Sequence, residues 1–235
     1  MSTPGASIAD RITDLIGAEY ATVPSLSYKD LINAAFNEVA DSITEDLLIK
    51  YSKTPGVLES NSEWLVEDRK ILKVTRIDAN SSGIERECKA VGRDMFSVSG
   101  DIASIHYATA YSPIYHLDSA NAGAATLKIL PEPTVPQKGK IWYFSYATNS
   151  VDLTAITAAT LNTTYYLPSN LIYSIVLKSC INILNTYISN QIQDEEDVEL
   201  MGMIQNQIQL LEKDYQVEIS RFVDKSTKGS LAGSE

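Results

Sequence analysis

The chain has 235 residues, 44% hydrophobic and 21% charged, the make-up of a globular protein able to bury roughly 70–75% of its unfolded surface. Its 30 acidic residues against 19 basic ones leave a net charge of −11. No Lys/Arg patch offsets that excess, which argues against a protein that wraps nucleic acid or docks on anionic lipid.

Residues 7–19 read as a short amphipathic helix, with Ile8, Ile12, Leu15 and Ile16 at helical spacing. The N-terminus lacks the basic and apolar blocks of a signal peptide. Pro24 then breaks the chain. Residues 28–52 predict one long helix with Ser27 as N-cap and Asp30 near its positive end. Ile32, Phe36, Val39, Ile43, Leu47 and Tyr51 form its stripe, and Thr54-Pro55-Gly56 ends it.

From about 66 to 147 the period shortens. Strands are expected at 72–77, 104–109, 125–130 and 140–147, separated by Ser81-Ser82-Gly83, Gly100-Asp101, an Asn121–Gly123 turn and Pro131 to Gly139. Ile84 to Val91 is ambiguous between helix and strand. The short connections predict an antiparallel sheet or sandwich.

The helical period returns at 168, with Pro168 in the first turn. Leu171, Ile172, Ile175, Val176, Ser179, Ile183, Leu184 and Tyr187 are expected to face inward. Ser174, Lys178, Ser179, Asn182 and Asn185 make residues 171–188 too polar for a membrane span on this reading. A polar link at 189–193 leads to a last helix, about 194–222, striped by Val198, Met201, Ile204, Ile208, Leu211, Tyr215, Ile219 and Phe222. Such a stripe wants a partner helix, and the preceding helix is the antiparallel neighbour.

The fold expected is therefore α+β: a helical bundle built from N- and C-terminal helices with an inserted antiparallel β-sheet or sandwich region. The divisions are 1–60 (helical), 61–150 (β-rich), 151–223 (helical hairpin) and 224–235, a flexible polar tail.

Chemistry-bearing residues are sparse. His106 and His116 sit in expected strands, but no Cys, Asp or Glu accompanies them at ligand spacing. Ser112 and Asp118 near His116 lack any nucleophile motif. Cys88 and Cys180 stand apart, outside any metal or redox spacing, and read as reduced buried thiols. No catalytic, metal or cofactor site is expected. Asn80 and Asn162 head Asn-x-Ser/Thr sequences without glycosylation meaning in a chain expected to work in the cytoplasm of the cell that makes it or in something assembled there.

The acidic run Asp194, Glu195, Glu196, Asp197 and Glu199 lacks the glycine turn of a calcium loop. It reads as acids complementing a helix dipole, or as a channel-facing surface that repels DNA. Seven tyrosines (Tyr107, Tyr111, Tyr115, Tyr143, Tyr146, Tyr165 and Tyr166) are either strand residues or interface aromatics. Without interleaved bases they do not suggest single-stranded nucleic acid.

Residues 104–134 carry Ser104-Ile105, Ala108-Thr109, Ser112-Pro113-Ile114-Tyr115 and Pro131-Glu132-Pro133 in that order. This segment resembles neck and head-completion proteins of tailed bacteriophages, as do 138–148, 167–189 and the helix at 27–43. The insertion at 120–125 lengthens one turn relative to that pattern. The resemblance implies a non-enzymatic virion protein, assembled in the host cytoplasm. It implies a homo-oligomeric ring, twelvefold by analogy, between the portal protein and tail or further neck proteins. Genomic DNA would pass through it without specific binding, and no membrane is involved. The segment Phe222, Val223, Asp224, Lys225 and Lys228 would order on a portal, adaptor or tail subunit. Competing expectations are a tail or baseplate component, a β-rich host-surface binding module, and an enzyme with an unrecognised site.

Overall fold

The computed structural model describes residues 5–21, 27–51, 55–60, 64–66, 68–78, 83–119, 125–148, 150–191 and 198–223. It is mixed α+β and divides into two compact units. One comprises Met1–Tyr51 with Ala147–Glu235, so both chain ends build it; the other is Ser52–Tyr146.

The first unit is helical. Helix α1 (Ile8–Ile16) begins with a capping box: the Asp10 amide donates to the Ser7 hydroxyl, and the Ser7 amide donates to the Asp10 carboxylate. Gly17, at φ 93°, ends it, and the short α2 (Ala18–Ala21) follows, so the helix expected over 7–19 is two pieces. Ile8, Ile12 and Ile16 are buried, whereas Leu15 is exposed. The amides of Ile8 and Ala9 donate to the carbonyls of Ile156 and Thr154, which ties the start of α1 to the returning chain.

The single helix expected over 28–52 is also divided, into α3 (Tyr28–Ser42) and α4 (Glu45–Tyr51). The break falls at Ser42-Ile43-Thr44. The Ser42 hydroxyl bonds back to the Glu38 carbonyl, Ile43 is extended, and the Thr44 carbonyl starts the new helix by accepting from Leu47 and Leu48. A serine followed by two β-branched residues is where helix propensity is weakest. Ser27 does occupy the N-cap, but its hydroxyl bonds the Asp30 carboxylate rather than a backbone amide. Asn33 and Asn37, one turn apart on α3, hold the returning backbone. Asn33 Nδ2 donates to the carbonyls of Thr148 and Val151, both at 2.9 Å. Asn37 exchanges a pair of bonds with Ala147 at 3.0 and 2.8 Å.

Helix α6 (Ala158–Tyr165), not anticipated from the sequence, starts with a Thr157/Thr160 capping box and stops at Tyr166 in the left-handed region. A 3₁₀ turn (Ser169–Leu171) leads into α7 (Ile172–Gln191), the core of the unit, which packs on α1, α2, α3 and the last helix, α8 (Val198–Ile219). Leu177, Cys180 and Ile181 are buried beside the expected Ile175, Val176, Ile183 and Leu184. Burial on nearly every side corrects the membrane argument. By length and composition Ser169–Ser189 could cross a bilayer, but 61% of its most apolar window is already buried in protein. On α8, Ile204, Ile208, Leu211, Tyr215 and Ile219 are buried and Val198 is exposed. Each large side chain buried there contributes ~1.5–3 kcal/mol.

The second unit is a β-sandwich of two four-stranded sheets. Its strands are β1 (Gly56–Leu58), β2 (Trp64–Leu65), β3 (Arg69–Ile77), β4 (Glu85–Glu87), β5 (Lys89–Ala90), β6 (Ile114–Ser119), β7 (Ala125–Leu130) and β8 (Gly139–Ser145). The orders are β1-β8-β3-β4 and β2-β7-β6-β5. Leu58, Val74, Cys88, Leu127, Ile129 and Ile141 meet between the sheets, with Trp64, Ile71, Tyr115 and Tyr143 against them. At Gly139 the sheets approach so closely that a Cβ would lie 2.6 Å from Ile129 Cδ1.

Two expectations for this unit are corrected. The β5–β6 pair is parallel, because residues 91–113 form a crossover long enough to reverse direction. That crossover contains helix α5 (Arg93–Ser99), and residues 104–109 are turns rather than a strand. The expected turn at 121–123, the link at 192–193 and the tail at 224–235 lie outside the described residues.

Candidate functional site

Residues 93–112 are where the structure departs furthest from a self-contained domain. Helix α5 packs on β6, with Ser99 buried and the Phe96 ring 5.4 Å from that of His116. Its other side shows Met95 and Val98 to solvent. Beyond it Ile102 is 81% exposed, Ile105 95% and Tyr111 65%. Burying a large apolar side chain is worth ~1.5–3 kcal/mol, so a chain that leaves several outside in one stretch forgoes a substantial gain.

The stretch is nevertheless firmly built. The Asp101 carboxylate accepts from the Ala103 amide and the Asp101 carbonyl from the Ser104 amide. Ser104 accepts from His106 through its hydroxyl and from Tyr107 through its carbonyl. Ala108 reaches back to the Ser99 carbonyl, and Ser112 bonds Thr109. Ala108 is buried and anchors the segment. The main chain under these side chains is thus already ordered and has little entropy left to lose on contact. The Arg86 guanidinium lies 4.9 Å from the Tyr111 ring centroid, and its Nε pairs with the buried Asp78 at 3.3 Å. Lys89 and Arg93 are exposed nearby in sequence and form no ion pair with any described residue.

The residues singled out for chemistry separate. His106 is exposed in a turn, not in a strand. His116 lies in β6 with Nδ1 3.1 Å from the Val91 carbonyl, an acceptor that fixes the proton on Nδ1. Asp118 pairs with Lys128 at 2.9 Å instead of with His116, and that ammonium holds its carboxyl below the ordinary value. Ser112 is exposed and bonded to Thr109. Among the described residues no three of His, Cys, Asp and Glu converge as metal ligands. Cys88 and Cys180 are free and buried, and desolvation pushes both thiols up to about 12.

The tyrosines divide too. Tyr115 and Tyr143 pack against the sandwich core, and Tyr143 also stacks edge-on with Trp64, the Arg69 guanidinium lying 5.0 Å from each ring. Tyr165 meets Phe36 in the helical unit. Tyr107 and Tyr111 are exposed. Glu199 lies in the first turn of α8 and is exposed, whereas Asp194, Glu195, Glu196 and Asp197 lie outside the described residues. Of the proposed partner segment, Phe222 is half-buried and Val223 exposed; Asp224, Lys225 and Lys228 lie outside the described residues.

Sequence reading missed Met95, Val98 and Ile102 because α5 was not foreseen. It placed Ile105 in a strand, where alternation would have buried it or its neighbours. The signal that could have revealed the turn is local: Asp101 and Ser104 are both residues that bond their own backbone two positions on.

A cleft of about 450 Å³ between α7 and α8 is lined by Lys178, Ile181, Glu212, Lys213 and Tyr215, among others. Lys178 there is already engaged, paired with Glu38 at 2.6 Å and 5.9 Å from the Tyr215 ring. Charge is unevenly shared between the units. Residues 52–146 hold 11 of the 19 basic and 11 of the 30 acidic residues, so the sandwich is neutral and the helical unit carries the whole −11. No protein-family model matches the chain, and no curated protein matches it.

Proposed function

We propose that this chain is a structural subunit of the neck of a tailed-phage virion. In this reading it forms a homo-oligomeric ring between the portal and the tail or further neck proteins. It performs no catalysis, and the ring extends the channel through which DNA passes. One observation carries the reading. The segment with the neck-protein sequence pattern, beginning at Ser104-Ile105, is also part of the stretch that leaves large apolar side chains outside the core. Residues used for neither packing nor chemistry are the residues a protein keeps for assembly.

Charge supports the same reading. A helical unit with a net −11 repels a polyanion, so DNA sliding past it would not be held. In this reading Phe222 and Val223 begin the segment that reaches a neighbouring protein of the stack.

The test is electron microscopy of intact virions carrying an antibody against this chain. Label at the head–tail junction is the expected result. Label at the distal tail tip would replace the neck reading with a baseplate component or host-surface adhesin. Virions that carry no label would remove the structural role altogether.

A further inference from the structure

We draw no further inference here: the strongest candidate, the exposed row of Met203, Leu210 and Val217 along α8, is bordered by charges of both signs at Lys213 and Asp214, and nothing in the structure shows what covers it.

Discussion

Arg76 is a cation 2% exposed near the end of β3, and replacing it should unfasten one end of the sandwich. Its Nε donates to the Pro131 carbonyl at 2.8 Å and its Nη1 to the Ile77 carbonyl at 3.2 Å. Its Nη2 donates to Gln137 Oε1 at 2.7 Å and to the Glu132 carbonyl at 3.3 Å. One planar fork thus pins the 131–137 turn between β7 and β8 to the strand beneath. Arg76→Met fills similar volume but leaves those oxygens without their donor. Ile77, Pro131 and Gln137 are half-buried and Glu132 is exposed, so water reaches part of what the fork leaves, and the cost per orphaned acceptor is ~1 kcal/mol, offset in part by sparing the guanidinium its desolvation. The net loss should be about 3 kcal/mol, because four acceptors lose a charged donor but no buried charge is left unpaired. Arg76→Lys should fall between, since one ammonium cannot span the same acceptors. The two tryptophans, Trp64 and Trp142, both lie in the sandwich unit, so fluorescence during urea unfolding reports that unit directly. With a slope of ~1–3 kcal/mol per molar urea, the midpoint of Arg76→Met should fall by at least about 1 M. A midpoint within about 0.3 M of wild type would show that the turn does not depend on this fork.

Gly139→Ala should destabilise the sandwich by ~1–3 kcal/mol through overpacking, because the new methyl would meet Ile129 Cδ1. Adding Ile129→Val removes that carbon and should recover part of the loss; a double mutant worse than the sum of the two singles would contradict the geometry. Cys88 and Cys180, with thiols raised to about 12, should resist a thiol reagent near pH 8 in the native protein and react fully in denaturant. Rapid native labelling of either would mean that its burial is wrong. Asp10, Asp118 and Asp152 have carboxyls held below 3.8, by Ser7, Lys128 and Thr154 respectively. A depressed folded value gives stability that is present above the unfolded value and lost as pH falls through the folded one. The thermal midpoint should therefore begin to fall below about pH 4, and a midpoint rising over that interval would reverse the sign.

How far the sequence speaks depends on the range of the forces involved. The stripe from Ile204 to Ile219 on α8 and the strands at Ala125–Leu130 and Gly139–Ser145 were legible because period alone decides which face a side chain takes. Helix α3 ends ten residues before its expected limit although Ile43 continues the apolar stripe: the Ser42 hydroxyl bonds back to the Glu38 carbonyl, Ile43 turns extended, and the Thr44 carbonyl opens a new helix. The α+β class followed from the order of the periods.

Tertiary structure alone decided the rest. That β5 runs parallel to β6, that Gly139 sits against Ile129, and that Arg76 serves a turn more than fifty positions away are long-range facts with no local signature. The exposure of Ile102 and Ile105 is the most consequential of these. A sequence marks a residue as apolar, but only the packed chain shows which apolar residues the core left outside, because burial is a property of the space around a side chain and not of the side chain itself.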